Sequence, residues 1–342
     1  MAELTYRQAV AAALAQEMAR DDRVVLLGED VASGGVFKTT AGLTERFGAD
    51  RVRNTPISEQ AIAGAAMGAA MAGLRPVAEI MFADFYATCW DQVVNEIAKV
   101  RYMTGGQVSV PLVLRGANGS GGLGFGSQHG QSVENWAMTV PGLKIASPAS
   151  PAEAFGLLAA AIRDDDPVLV FEHKALYGRK EEVGDGERLI PLGQARTVRA
   201  GRDVTLVGLS ITVGTCLDAA AGLATEGIEA EVIDLRTLVP LDAATVLGSV
   251  ARTGRLVVVE ENPGQLGWGA SVAAIAAQEA FGALAAPVIR VSGGNVPLPV
   301  AASLEAEVDV SVPRVIAAAR GVLGASRPPG VSQFSATSQQ KG

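Results

Sequence analysis

Strand-like and helix-like segments alternate along almost the whole of this chain, and that alternation constrains the fold more than any other feature. Short runs rich in Val, Ile and Leu are each followed by a longer stretch suited to a helix, the order required by a parallel sheet with helices on both faces. In the first half a helix over Thr5–Arg20 leads into a strand at Val24–Gly28. Further strands are predicted at Pro76–Ile80, Val110–Arg115, Leu143–Ala146 and Val168–Phe171, with helices over Gln60–Ala72, Tyr86–Tyr102 and Pro151–Arg163. The second half repeats the pattern, with strands at Asp203–Leu209, Glu231–Asp234, Leu256–Glu260 and Pro287–Val291. Its helices are Gly214–Thr225, Asp242–Ala251, Trp268–Phe281 and Pro313–Val322.

Near Glu181–Arg202 the pattern breaks into a polar, charged stretch. The expected organisation is an α/β unit over residues 1–182, a linker over 183–202, a second α/β unit over 203–324 and a tail over 325–342. The tail is Ser, Gln, Pro and Gly with almost nothing to bury, so it is predicted to be disordered. A chain of 342 residues suffices for two cores of ordinary size.

With 19% charged and 49% hydrophobic residues the chain reads as a packed globular protein. A net charge of −8 argues against nucleic acid or an anionic membrane as partner. Two cysteines make no disulfide scaffold, and the N-terminus lacks the pattern of a signal peptide. The longest charge-free run near the front, Ala61–Leu74, is too short to cross a bilayer. The expected location is the cytoplasm.

That run is preceded by Ser58-Glu59, an N-cap candidate and an acid in the first helical turn. The acid either answers the helix dipole or is held for chemistry, since a carboxylate is costly against an apolar surface without a hydrogen-bonding partner. Gly64, Gly68 and Ala72 share one face of the helix, a spacing that admits close approach of another helix or tight packing within the chain.

Gly119-Ser120-Gly121-Gly122-Leu123-Gly124 satisfies the dinucleotide pattern but lacks the acid about 20 residues on, where Lys144 stands. A flexible active-site loop suits it better. Gly184-Asp185-Gly186 sits in a charged connector and has no Asn about 25–30 residues downstream to complete a metal–diphosphate site, so it reads as a turn. His129 lies in a polar, glycine-rich loop where an imidazole suits proton transfer near neutrality. The other histidine, His173, ends a predicted strand and reads as structural or surface. No Cys/His spacing suggests a metal cluster, and no G-x-S-x-G pattern suggests an esterase.

Taken together, Gly28-Glu29-Asp30, Thr55-Pro56-Ile57-Ser58-Glu59, Gly73-Leu74-Arg75-Pro76, Phe82-Ala83-Asp84-Phe85, Asp91-Gln92-Val93-Val94-Asn95, Gln128-His129 and Pro141-Gly142-Leu143-Lys144 form an ordered set. It continues through Ala161–Pro167 and Val232–Asp242. The set resembles the beta subunits of thiamine-diphosphate-dependent 2-oxo acid dehydrogenase components, of pyruvate, branched-chain or acetoin type, over about residues 3–323.

The resemblance implies a pyrimidine-binding transketolase-like domain followed by a transketolase C-terminal-like domain. It implies that Glu59 hydrogen-bonds the aminopyrimidine of thiamine diphosphate, that Phe85 and Met81 lie against that ring, that Glu29 belongs to the cofactor site and that His129 faces the substrate. The charge-free helix behind Glu59 is expected to provide the low-dielectric setting such an acid needs. Backbone oxygens of Leu112, Ala161, Ile162, Asp164 and Asp166 correspond to a structural potassium site. Where the family reads His-Ser-Gln, this chain reads His129-Gly130-Gln131, and its Gly119–Ser127 loop is extended, which puts the substrate side in question.

The implied reaction is oxidative decarboxylation of a 2-oxo acid, pyruvate foremost, with acyl transfer to lipoyl groups. The partners implied are an alpha subunit that holds Mg²⁺ and the diphosphate in an α2β2 heterotetramer, and a lipoyl-bearing dihydrolipoyl acyltransferase core. The competing readings are an acetoin or branched-chain 2-oxo acid dehydrogenase subunit, a transketolase-like or deoxyxylulose-phosphate-synthase-like half enzyme, and a non-catalytic interaction subunit.

Overall fold

The computed structural model describes residues 2–184 and 186–325. The expected tail beyond Ala325 and the centre of the Gly184–Gly186 turn lie outside these residues. Two larger sheets carry the fold. The first has seven strands in the order Thr237–Val239, Lys144–Ala146, Val168–His173, Val113–Asn118, Arg75–Phe82, Val24–Gly28 and Val52–Asn54. All its pairings are parallel except that of Thr237–Val239. The second has five, in the order Ile289–Gly293, Leu256–Pro263, Val204–Gly208, Ala230–Asp234 and Arg196–Arg199, antiparallel only at the last pair. A short ribbon pairs Ala2–Thr5 with Lys180–Val183 and ties the N-terminus to the end of the first unit.

Local chemistry explains the boundaries. Thr5 caps the helix Tyr6–Arg20 through a reciprocal capping box with Gln8, and Ser150 with Pro151 opens Pro151–Arg163. Central strands such as Val168–His173 are buried throughout, as a parallel sheet covered on both faces demands. Within the first sheet, Arg115 is buried between two carboxylates. It donates Nε and Nη2 to Glu172 at 2.7 and 2.7 Å and Nη1 to Glu79. Removing either partner would leave an uncompensated charge in the core.

The structure departs from the sequence expectation in three places. The expected helix Tyr86–Tyr102 is broken into a 3₁₀ turn over Ala83–Cys89, a π segment over Gln92–Ile97 closed by Ala98 N–H to Val93 O at 3.1 Å, and one helical turn at Val100–Met103. The expected linker contains the strand Arg196–Arg199. The two units are also not separate bodies. Thr237–Val239, from the second, forms an edge strand of the first sheet, and one apolar core joins Ile62, Ile80 and Phe171 to Ile233, Leu235 and Trp268.

Candidate active site

Glu59 is the first residue of the helix Glu59–Met71 and is half-buried. Ser58 occupies the N-cap position, but its side chain makes no capping hydrogen bond, so the expected cap is absent. The chain fixes the carboxylate differently. The single proton of the Thr88 hydroxyl has two acceptors in reach, Glu59 Oε2 at 3.0 Å and Phe85 O at 2.8 Å. The hydroxyl thus links the head of the helix to the 3₁₀ turn that carries Phe85, and the tight turn is what brings both residues to one place.

Glu29 follows the strand Val24–Gly28. Burial, then the charges of Asp30 and Glu59, push its carboxyl up, which sets it within electrostatic reach of Glu59. Met81 is half-buried near the end of Arg75–Phe82. The apolar helix gives Glu59 an incomplete shelter: Ile62, Ala63, Ala66 and Ala70 are turned inward while Glu59 keeps contact with solvent.

His129 joins this group through aromatic edges. Its ring centroid is 4.7 Å from Phe82 and 5.3 Å from Phe85, both edge-to-face. Asp84, between those two phenylalanines, holds the loop: its Oδ1 accepts from Gln131 N at 3.1 Å and from Gln131 Nε2 at 2.9 Å. Phe125 packs on Phe82 at 6.1 Å, and the Lys174 ammonium lies 5.5 and 5.0 Å from the centroids of Phe82 and Phe125. Burial pushes Lys174 down to about 8. Sequence reading missed Thr88, Asp84 and Lys174 as parts of this assembly; only Asp84, inside a recognised motif, carried a signal.

The glycine-rich loop is anchored rather than free. Gly122 N–H and Gly124 N–H donate to the two carboxylate oxygens of Glu305, at 3.1 and 2.9 Å, and Ser127 Oγ donates to Leu298 O at 2.8 Å. The two departures from the family pattern prove to be one feature. A Cβ on Gly130 would lie 2.8 Å from Gly126 O, so the missing side chain at 130 is what allows the loop to fold back so closely.

His173 is structural, and it is buried. Its Nδ1 accepts from Ala175 N–H at 3.2 Å, which leaves Nε2 to donate to Glu261 at 2.9 Å across the two units. Gly119, at φ +66°, closes over this pair, and a Cβ there would stand 2.1 Å from His173 Nε2. Burial alone would raise the Glu261 carboxyl, but hydrogen bonds from His173 and Ser132 and the nearby Lys174 ammonium hold it down at about 2, against an ordinary 4.5.

The sign follows: this pair stabilises the fold fully above pH 4.5 and loses that contribution as pH falls toward 2. Acid titration of the melting temperature should therefore show a steeper loss over that window in the wild type than in Glu261→Gln. Parallel curves would contradict the coupling. Beside the pair, a cavity of about 580 Å³ opens between the units, lined by Gln131, Trp136, Glu261, Asn295, Leu298 and Asp309.

Four of the five oxygens expected at a potassium site, all but that of Asp166, accept a hydrogen bond within the chain. Arg75 Nη1 donates to Ile162 O at 3.1 Å and to Asp164 O at 3.0 Å. Leu112 O accepts from Val168 N–H at 3.0 Å and Ala161 O from Asp164 N–H at 3.2 Å. Among the described residues, no group of three or more His, Cys, Asp and Glu side chains is placed to hold a metal. No described helix is long and apolar enough to cross a membrane.

Comparison with known proteins gives the family. Residues 2–180 match the family described as the transketolase pyrimidine binding domain, and residues 193–315 the transketolase C-terminal domain. The chain is 45% identical over 325 residues to the mitochondrial pyruvate dehydrogenase E1 component subunit beta of Dictyostelium discoideum, covering 94% of this chain and 91% of that protein. It is 46% identical over 329 residues to the acetoin:2,6-dichlorophenolindophenol oxidoreductase subunit beta of Cupriavidus necator, covering 93% and 97%. Among solved structures, a split-gene transketolase described as an inactive beta4 tetramer superposes with a TM-score of 0.79 at 25% identity, covering 95% of this chain and all of that one. The chain therefore belongs to the transketolase-type family in which a pyrimidine-binding domain precedes a C-terminal domain, together with the beta subunits of pyruvate and acetoin dehydrogenase components.

Proposed function

We propose that this chain is the pyrimidine-holding beta subunit of a thiamine-diphosphate-dependent 2-oxo acid dehydrogenase component, with pyruvate as the first candidate substrate. The observation that carries this reading is a chain of contacts in which Phe85 meets the His129 ring and Thr88, on the same turn as Phe85, reaches Glu59. A half-exposed carboxylate beside a half-buried phenylalanine fits an aminopyrimidine: one group to hydrogen-bond its edge and one to wall its face. When bound, the cofactor supplies an electron sink for the decarboxylation.

The chain's own residues do the rest. Glu59 holds a proton at N1′ of the ring, with Thr88 keeping Oε2 pointed and Glu29 adding negative charge nearby. Phe85 excludes water from the ring face. His129, held by Phe82 and Phe85 and by the Asp84–Gln131 bonds, stands on the substrate side to hold or move a proton.

The diphosphate and Mg²⁺ belong to an alpha subunit in an α2β2 assembly, and a lipoyl-bearing acyltransferase core receives the acyl group. Supporting the split are the dehydrogenase relatives, which are themselves named as beta subunits. The acetoin relative is the specific reason to keep acetoin as a second substrate. The test is co-purification with the alpha subunit and a screen of pyruvate, branched-chain 2-oxo acids and acetoin against an artificial electron acceptor. Turnover of none of these would overturn the reading. In the same assay His129→Ala should lower kcat by about 10²-fold or more, the scale of a lost proton-transfer group, with cofactor affinity nearly unchanged. A large rise in the cofactor Kd with kcat intact would move His129 to the cofactor.

A further inference from the structure

The second unit reaches into the proposed substrate side through a single buried carboxylate. Glu305, in the short helix Ala302–Val308, is fully buried, and both its oxygens receive backbone N–H groups of the glycine loop, Gly122 at 3.1 Å and Gly124 at 2.9 Å. Gly121, Gly122, Gly124 and Gly126 all have positive φ, between +61° and +83°. A left-handed residue alternating with an ordinary one, as at Gly122, Leu123 and Gly124, turns nearby N–H groups to a common point and makes an anion-binding concavity. In a nucleotide-binding protein such a concavity takes a phosphate; here a carboxylate of the same chain fills it.

What the loop carries makes this matter. Its far side places Phe125 against Phe82, the ring that His129 abuts. Its return folds Gly126 O against Gly130, next to His129. The loop is closed at its base by Gly119 N–H to Gln131 O at 3.0 Å. Removing the anion would leave two inward N–H groups without a partner in a segment whose glycines favour no single conformation.

We propose that Glu305 is a positioning residue: by filling the glycine nest it sets the loop that places His129 for the substrate. This rests on the active-site reading above for the role of His129, while the tether itself stands independently of it.

The test compares wild type, Glu305→Gln and Glu305→Ala in the assembled enzyme, alongside hydrogen–deuterium exchange of the full-length chain. In Glu305→Ala, kcat/KM for the 2-oxo acid should fall about tenfold, on the scale of one lost charge-assisted hydrogen bond. Exchange should quicken in residues 119–127 only, and cofactor affinity should hold. Acetate or formate should reverse both effects in a saturable way, because a small carboxylate refills the nest, and chloride at equal ionic strength should not.

Glu305→Gln keeps the shape and one acceptor oxygen, so it should be intermediate; it decides the matter if the alanine variant does not fold. Unchanged loop exchange in Glu305→Gln, or rescue by chloride equal to that by acetate, would overturn the proposal. If the wild type turns over no 2-oxo acid, the active-site reading fails alone, and the exchange and carboxylate rescue still judge the tether.

Discussion

Glu59→Gln should abolish nearly all turnover, by about 10²–10⁴-fold, the range in which a positioned proton-transfer group contributes, while the chain folds and assembles as before. The amide keeps the shape and still accepts from Thr88, whose hydroxyl is 3.0 Å from Glu59 Oε2. It cannot hold or release the proton at the ring nitrogen. The carboxylate is half-exposed in the single chain, so its loss removes no buried ion pair and the melting temperature should change little. The direct readout is the exchange rate of the thiazolium C2 proton in the loaded enzyme. Near-normal exchange in Glu59→Gln would remove this residue from the chemistry whatever happens to overall activity.

Gly68→Leu should block assembly with the second polypeptide and silence the enzyme while leaving the isolated chain folded. The reason is geometric. A Cβ built at Gly64 or at Gly68 meets no heavy atom within 4 Å, whereas one at Gly156 would stand 2.6 Å from Ile190. The small-residue face of Glu59–Met71 is therefore open in the single chain, and the alternative of tight internal packing does not hold. A face of this kind lets another backbone come close, and an isobutyl group there overpacks such a contact by about 1–3 kcal/mol or more. Size-exclusion chromatography of the mixed subunits, beside the melting curve of the lone variant, separates the two effects. A lone Gly68→Leu chain that melts several degrees lower would return the face to the interior of this subunit.

Much of the fold was legible because its signals are local. The run Val24–Gly28 is a strand as read, and Pro151–Arg163 is bounded by a capping serine, an N1 proline and a terminal arginine. Three-residue edge strands such as Val52–Asn54 and Thr237–Val239 are too short to show a period, and the latter is made a strand only by pairing with Lys144–Ala146 in the other unit. The broken helix after Ala83 failed for a different reason. Its apolar content suits a helix, but the 3₁₀ turn and π segment bend it so that Phe85 and Thr88 meet Glu59.

The site divides in the same way. Glu59, Phe85 and His129 lie in motifs and could be named in advance. Glu305 acts on a residue 183 positions earlier, and the hydrogen bond of His173 to Glu261 spans 88. An acid in a polar sequence looks like surface until its partner is known. Backbone carbonyls such as Ile162 O and Asp164 O give no side-chain signal, and that Arg75 donates to both could not be read from the motif that contains it.

The central claim is that this chain holds one half of a split active site. It is tested most directly by 2-oxo acid turnover of the lone chain, purified free of any other polypeptide and supplied with thiamine diphosphate, Mg²⁺ and an artificial electron acceptor. The account predicts no turnover alone and turnover on addition of the alpha subunit. Robust turnover by the lone chain would contradict it.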